Sequence, residues 1–312
     1  MPGATRLSGK DLLGLKNLTE DEIMLILRSA ARMKARIDDT GKRSPELSGK
    51  SVVTLFYENS TRTKMSFMMA GKYLGASATD LGVATSSVNK GERLAETGIN
   101  LDQMGVNMMI IRHQTTGAPH LLARNVRASV VNAGDGANEH PTQALLDLMT
   151  IYERLGGFDG LKVAILGDIS HSRVARSNAF GLIRLGAKVT LAGPATLVSG
   201  SFRALGADVT TNILEAVEGS DVVMGLRIQL ERDKAPNFPN LREYSSLFGV
   251  NARILKHAKK GALVMHPGPV NRGVELSADV IDGSQSVIYQ QVKNGVAVRM
   301  ALLKLLLSEE GD

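Results

Sequence analysis

The chain of 312 residues has no cysteine and no tryptophan, and only 5 tyrosines and 7 phenylalanines. Without cysteine there can be neither disulfides nor thiolate metal sites, and the composition fits a reducing compartment. Aromatics make up 4% of the chain. They nowhere alternate with Lys or Arg, so the stacking platforms that single-stranded nucleic acid needs are missing. No apolar run reaches the roughly 20 residues that span a bilayer. The start, MPGATRLSGKDLLGL, lacks the continuous apolar stretch of a signal peptide. Together these absences predict a cytoplasmic protein whose partner is neither membrane nor nucleic acid.

What is present is an ordinary globular composition, 43% hydrophobic and 22% charged. The 37 Lys and Arg against 31 Asp and Glu leave a net charge of +6. These basic residues are scattered; the densest knot, His257 to Lys260, reads as a solvated helix end. Small anionic substrates remain as the partners that a dispersed positive charge suits. A chain this long can bury a large core and is expected to form two domains.

Short apolar runs at 52–57, 108–112, 129–132, 162–166, 188–192, 221–225 and 262–266 alternate with amphipathic stretches such as 93–104, 141–155 and 173–185. Near-continuous apolar strands separated by helices predict parallel sheets covered on both faces. The fold class is therefore α/β, with two doubly wound parallel-sheet domains joined by long helices and the active site in the cleft between them. The expected domains are 1–143 and 144–286, with 287–312 as a C-terminal helix packing back on the first. Thr19 and Glu22 form a capping box at the first helix. No repeat or low-complexity segment interrupts the pattern.

The strand at 52–57 ends at Glu58-Asn59-Ser60, and Thr61-Arg62-Thr63 open a helix. Unpaired backbone N–H groups, hydroxyls and a guanidinium then converge at one point, as an oxyanion or phosphate cradle requires. Neither GxxxxGK[ST] nor GxGxxG is present here, so the cradle is of neither common nucleotide-binding type. Ser and Thr are also ordinary N-caps, and on local grounds both readings stand. His140-Pro141-Thr142-Gln143 precedes a second apolar helix, with Pro141 at its first position and His140 at the cap. That histidine is either a plain capping residue or a neutral donor to a polarised carbonyl. His266-Pro267-Gly268-Pro269-Val270-Asn271-Arg272-Gly273 follows another strand; its prolines stiffen a loop at the carboxyl end of a parallel sheet, where ligands bind. Gly167-Asp168-Ile169-Ser170-His171-Ser172-Arg173 lacks the glycine pattern of a dinucleotide site. Asp168 with His171 is one ligand short of a metal site. No metal and no cofactor are expected.

STRT before an apolar helix, then HPTQ, then HPGPVNRG, in that order and over essentially the whole chain, resemble the carbamoyltransferase family, and within it the aspartate carbamoyltransferases. The resemblance implies transfer of the carbamoyl group of carbamoyl phosphate to the α-amine of L-aspartate, in de novo pyrimidine biosynthesis. It implies that Ser60, Thr61, Arg62 and Thr63 bind phosphate, with Arg112 at the end of its strand contacting phosphate and carbonyl. His140 and Gln143 would hold the carbamoyl oxygen and amide, and Gly268 and Pro269 would close over them. Arg173, Arg227 and Gln229 would grip aspartate. Ser86 and Lys90 would reach a neighbouring subunit's site in a homotrimer whose active sites are shared. The catalytic set is Arg62, Thr63, Lys90, Arg112 and His140, with Lys90 also facing aspartate. A larger assembly with regulatory or dihydroorotase chains is left open. HPTQ, MGLRIQLE and HPGP stand where ornithine enzymes typically carry HPCQ, a DxxxSMG segment and HCLP, and two arginines suit a substrate with two carboxylates. The chain departs from the family pattern at Asn59, Lys64 and Met68, which leaves open how the STRT turn is braced.

Overall fold

The structure, a computed structural model, describes residues 4–38, 45–82, 91–228 and 240–308. Ser86, Lys90 and Gln229 lie outside the described residues. The chain divides into two compact units, the first comprising Met1–Met149 with Lys293–Asp312 and the second Thr150–Val292.

The first unit opens with α1 (Glu20–Asp38), whose capping box forms as the sequence predicts: the Thr19 N–H reaches Glu22 Oε2 at 2.9 Å and the Glu22 N–H reaches Thr19 Oγ1 at 3.2 Å. There follow β1 (Ser51–Phe56), α2 (Thr61–Tyr73), β2 (Ser77–Asp80), α3 (Leu94–Gln103), β3 (Met108–His113), α4 (Ala118–Asn125), β4 (Ser129–Asp135) and α5 (Pro141–Leu155). The sheet is parallel, in the order β2-β1-β3-β4. On one face Val53, Leu55, Met109, Ile111 and Val130 pack with Leu101, Leu122 and Val126 of the α3–α4 region. The alternate residues Val52, Met108, Ile110 and Val131 are buried as well. Burial on both faces is why these strands are apolar runs rather than alternating ones. Each such side chain contributes roughly 1.5–3 kcal/mol. The β4 edge is covered by the chain's own start: the Leu12 N–H bonds Val130 O and the Asn132 N–H bonds Leu12 O, each at 2.9 Å.

The second unit contains β5 (Lys162–Leu166), α6 (Arg173–Arg184), β6 (Lys188–Ala192), a short 3₁₀ turn (Gly200–Leu205), β7 (Asp208–Thr210), α7 (Ile213–Val217), β8 (Val222–Gly225), α8 (Leu241–Phe248), α9 (Ala252–Leu255), β9 (Leu263–Met265) and α10 (Ala278–Ile281). Its parallel sheet runs β7-β6-β5-β8-β9. Ala164, Leu166, Ala192, Val223 and Val264 face Ile213, Ala216 and Val217 of α7, Leu255 of α9 and Val280 and Ile281 of α10. The final helix, α11 (Ile288–Leu307), returns the chain to the first unit.

Two edge strands, β2 and β7, escape the sequence reading. Both are short, Ser-Ala-Thr-Asp largely exposed and Asp-Val-Thr only partly buried, so they lack the apolar run that marks the central strands. In both sheets the strand that begins the unit lies inside, and the chain winds outward from it in both directions. The reversal falls between β1 and β3 in the first sheet and between β5 and β8 in the second. At such a point the loops after two neighbouring strands part to opposite faces and leave a crevice at their carboxyl ends.

Candidate active site

In the first sheet, the residues at the reversal are the ones the sequence singled out. Phe56, the last residue of β1, pairs with Arg112 of β3, and the Tyr57 N–H bonds Arg112 O at 2.9 Å. Ser60-Thr61-Arg62-Thr63 therefore begins four residues beyond the point where Arg112 leaves the sheet. Register shifts between Ile111 and His113, and this bulge re-aims Arg112 relative to the strand below it. Its Nη2 donates to Glu58 at 2.6 Å and its Nη1 to Ala133 O at 3.4 Å. Glu58 in the turn and β4 on the other side thus both orient Arg112.

Ser60 occupies the N-cap of α2, but its side chain makes no capping bond, and the first turn holds no acidic residue. By contrast Ser172, Asn212, Asn240 and Asn251 close their own helix starts at α6, α7, α8 and α9. A Ser-Thr-Arg-Thr turn that does not cap itself presents main-chain N–H groups and hydroxyls together with positive charge, the arrangement that suits an anion. Thr63 is buried, whereas Thr61 and Arg62 are exposed. The bracing that Asn59 and Lys64 left open is also visible. Lys64 Nζ bonds Asp80 of β2 at 2.9 Å and lies 5.5 Å from the Phe56 ring, and Thr54 of β1 donates to the same carboxylate at 2.7 Å. Asn59 is exposed.

After β4 the chain makes a fixed loop. Asp135, fully buried, accepts from Asn132, Asn138, the Glu139 N–H and the Gly117 N–H. Glu139 in turn accepts the Leu15 N–H at 2.7 Å. This network delivers His140, 4% exposed, to the start of α5, where its carbonyl receives the N–H groups of Gln143 and Ala144. Gln143 donates to Asp147 one turn on, at 3.0 Å.

The sequence reading missed the residue behind this group, Arg299 on α11. Its Nη2 reaches Thr142 Oγ1 at 3.3 Å, its Nη1 bonds Gly295 O at 3.0 Å, and the guanidinium lies 4.9 Å from the Phe67 ring of α2. A Cβ at position 295 would stand 2.7 Å from Nη1, so a larger residue there would displace the guanidinium. Burial pulls the Arg299 guanidinium down to about 9; Asp147 opposes this and Arg112 adds to it, and the group stays charged at neutral pH. A lone arginine inside the run VAVRMALLKLLL was the available signal.

In the second sheet, Gly167 follows the end of β5 at φ 131°, and a Cβ there would meet the carbonyl oxygen of Leu226, just past β8, at 2.9 Å. The segments after β5 and β8 therefore touch at the reversal. One leads to Arg173, the other ends in Arg227. Arg173 sits at the first position of α6, 5% exposed, although a cation at a helix N-terminus is electrostatically disfavoured. Asp168, 1% exposed, receives His171 Nδ1 at 2.9 Å and the His171 N–H at 3.3 Å; this ties the turn to itself. Among the described residues no group of three or more His, Asp or Glu could hold a metal ion, and no helix is long and apolar enough to cross a membrane. In the loop after β9, the His266 N–H bonds Gln291 at 3.0 Å and His266 Nδ1 accepts the Gly268 N–H at 2.8 Å, which fixes the base from which Gly268 and Pro269 project.

Profiles of two domains match the chain in tandem. The aspartate/ornithine carbamoyltransferase carbamoyl-P binding domain covers residues 10–153, and the Asp/Orn binding domain of the same enzymes covers 159–306. The chain belongs to the aspartate/ornithine carbamoyltransferase family. It is 60% identical over 300 residues to the aspartate carbamoyltransferase catalytic subunit of Acetivibrio thermocellus, covering 96% of each chain. Among solved structures it resembles aspartate transcarbamoylase from Trypanosoma cruzi in complex with carbamoyl aspartate and phosphate, with a TM-score of 0.85 at 31% identity over 97% of this chain and 98% of that one. Ornithine carbamoyltransferase from Pyrococcus furiosus superimposes as well, with a TM-score of 0.86 at 30% identity and the same two coverages. The backbone is thus common to enzymes with different amine acceptors, and the choice between acceptors rests on side chains.

Proposed function

We propose that this family member transfers the carbamoyl group of carbamoyl phosphate to the α-amine of L-aspartate, releasing phosphate and N-carbamoyl-L-aspartate. The observation that carries the choice of aspartate is the pair Arg173 and Arg227, placed after two adjacent strands at the reversal of the second sheet. Two guanidiniums match two carboxylates and disfavour a cationic acceptor such as ornithine. The near relatives agree: eight at 53–60% identity are aspartate carbamoyltransferase catalytic subunits.

On this reading Ser60, Thr61, Arg62, Thr63 and Arg112 hold the phosphate. The neutral amine attacks the carbamoyl carbon, charge collects on the carbonyl oxygen, and the bond to the phosphate oxygen breaks. The departing phosphate takes up the amine proton. Thr63, Arg112 and His140 donate to the developing oxyanion, and Gln143 holds the carbamoyl amide. Gln229 joins the two arginines on aspartate, while Gly268 and Pro269 cover the carbamoyl group. Catalysis then consists of holding two anions in contact and stabilising one oxygen, with no covalent enzyme intermediate. The same reading includes a homotrimer in which Ser86 and Lys90 serve a neighbour's site, a cytoplasmic location and a step in de novo pyrimidine synthesis.

Phosphate release from carbamoyl phosphate, measured with a panel of amine acceptors, tests the assignment. Aspartate should support turnover and ornithine should not; turnover with ornithine but not aspartate would overturn it.

A further inference from the structure

One buried carboxylate in the second unit has no part in the proposed reaction. Glu275 lies between the 266–273 loop and α10 and is 2% exposed. Its Oε1 accepts the Ile228 N–H at 2.9 Å and Asn271 Nδ2 at 2.7 Å, and its Oε2 accepts the Asn271 N–H at 2.9 Å. Ile228 directly follows Arg227, and Asn271 stands two residues beyond Pro269. A single side chain therefore clasps the segment that carries a substrate-binding arginine and the loop that carries Gly268 and Pro269.

Burying a carboxylate here is costly. Desolvation raises its pKa even against the hydrogen bonds from Ile228 and Asn271, and the neighbouring ionisable side chain, Tyr244 of α8, is itself pushed upward by burial with Glu275 and Asp168 nearby. An apolar residue would pack the same space at lower cost, but it would leave three N–H donors without an acceptor and the two segments unlinked. The backbone around it is held from other directions: the Val250 N–H bonds Glu275 O at 2.9 Å, and Ser245 Oγ bonds Gly273 O at 2.7 Å. The carboxylate is therefore not needed to keep the loop attached to the unit; what it adds is the link to residue 228.

We propose that Glu275 is a positioning residue for the amine acceptor: it sets the direction of Arg227 and couples that direction to the Gly268–Pro269 loop, so that the acceptor's carboxylate and the carbamoyl cover are placed together. This rests on the reading of Arg227 as an aspartate ligand.

The test is steady-state kinetics on the full chain with aspartate and carbamoyl phosphate. Glu275→Gln keeps the shape and one acceptor oxygen but turns an N–H₂ toward the Asn271 N–H. It should raise the aspartate KM about tenfold, as expected for weakening a hydrogen bond to a charged group, with kcat and the carbamoyl phosphate KM within twofold of wild type. Asn271→Ala, which weakens only the loop side of the clasp, should give a smaller rise of about threefold. In an Arg227→Ala background, adding Glu275→Gln should raise the aspartate KM no further, because Glu275 acts through Arg227. Multiplying effects in the double variant, or an unchanged KM in Glu275→Gln, would overturn the proposal; so would an unchanged KM in Asn271→Ala. If Arg227→Ala alone leaves the aspartate KM unchanged, the ligand assignment of Arg227 fails instead, and Glu275 loses its proposed object.

Discussion

On the proposed function the two sheet reversals each hold an anion, by different means. At β1 and β3 the proposed site joins main-chain N–H groups at the uncapped start of α2 to hydroxyls and two arginines, Arg62 and Arg112, the second re-aimed by a bulge. At β5 and β8 it is mostly side chain: Arg173 placed at a helix start that disfavours it, and Arg227, whose successor Ile228 donates its N–H to Glu275. A phosphate presents oxygens in all directions and is served by N–H groups that the fold supplies in any case. An amino acid must be recognised by the spacing of two carboxylates, and only long, forked side chains supply that geometry. On the proposed function the first site is general to the family, and the second is where acceptors are told apart.

That contrast can be broken most directly at His140. His140→Ala should lower kcat by about 10²–10³, the usual effect of losing one oxyanion donor, with much less change in carbamoyl phosphate affinity. A rise confined to KM would make the first unit's site a binding site only. At the second reversal Arg227→Ala should act the other way, raising the aspartate KM roughly 10–100-fold, as expected for a lost charged hydrogen bond, while carbamoyl phosphate binding to the enzyme alone stays as in wild type. If instead kcat collapses and KM holds, the division into catalytic and selective halves is wrong.

The smallest expected effect concerns the brace under the first site. Lys64→Met should change kcat/KM less than threefold and cost about 0–1 kcal/mol of stability, the range for a half-exposed ion pair. Burial alone would raise the Asp80 carboxyl, but the hydrogen bonds from Lys64 and Thr54 outweigh it and hold the group below the usual carboxylate range. A depressed folded-state value means that the stabilisation is present above the ordinary pKa of about 3.9 and is lost as pH falls through the lower value. Denaturation curves of wild type and variant should therefore differ at neutral pH and converge in acid. A gap that persists in acid would show that the Lys64 stem on Phe56, not the ion pair, does the bracing.

How much of this was legible in the sequence follows the same division. The places of the Ser60–Thr63 turn, Arg112 at a strand end and His140 at a helix start could be read because each sits where secondary structure already announces itself. The sheets were legible wherever strands are buried on both faces; β2 and β7 were not, since an edge strand of three or four residues carries no apolar signature. Glu275, Asp135 and Arg299 were illegible for a different reason. Each works by reaching groups distant in the chain, Ile228, Gly117 and Thr142 respectively. Nothing in the neighbouring residues marks a buried acid as a clasp. The lone Arg299 in an apolar helix was the exception that local reading could have caught.

Arg299 also has a consequence for how the molecule is made. The helix that carries it follows the whole second unit in sequence, yet its guanidinium bonds Thr142 and lies over Phe67 in the first unit. The amino-terminal unit is therefore unfinished when its own sequence has emerged. Thr142 and Phe67 lack this partner while the intervening unit is synthesised. Only α11, made after that unit, supplies this guanidinium, so a nascent chain stopped short of residue 299 would lack the bond to Thr142 and the contact over Phe67.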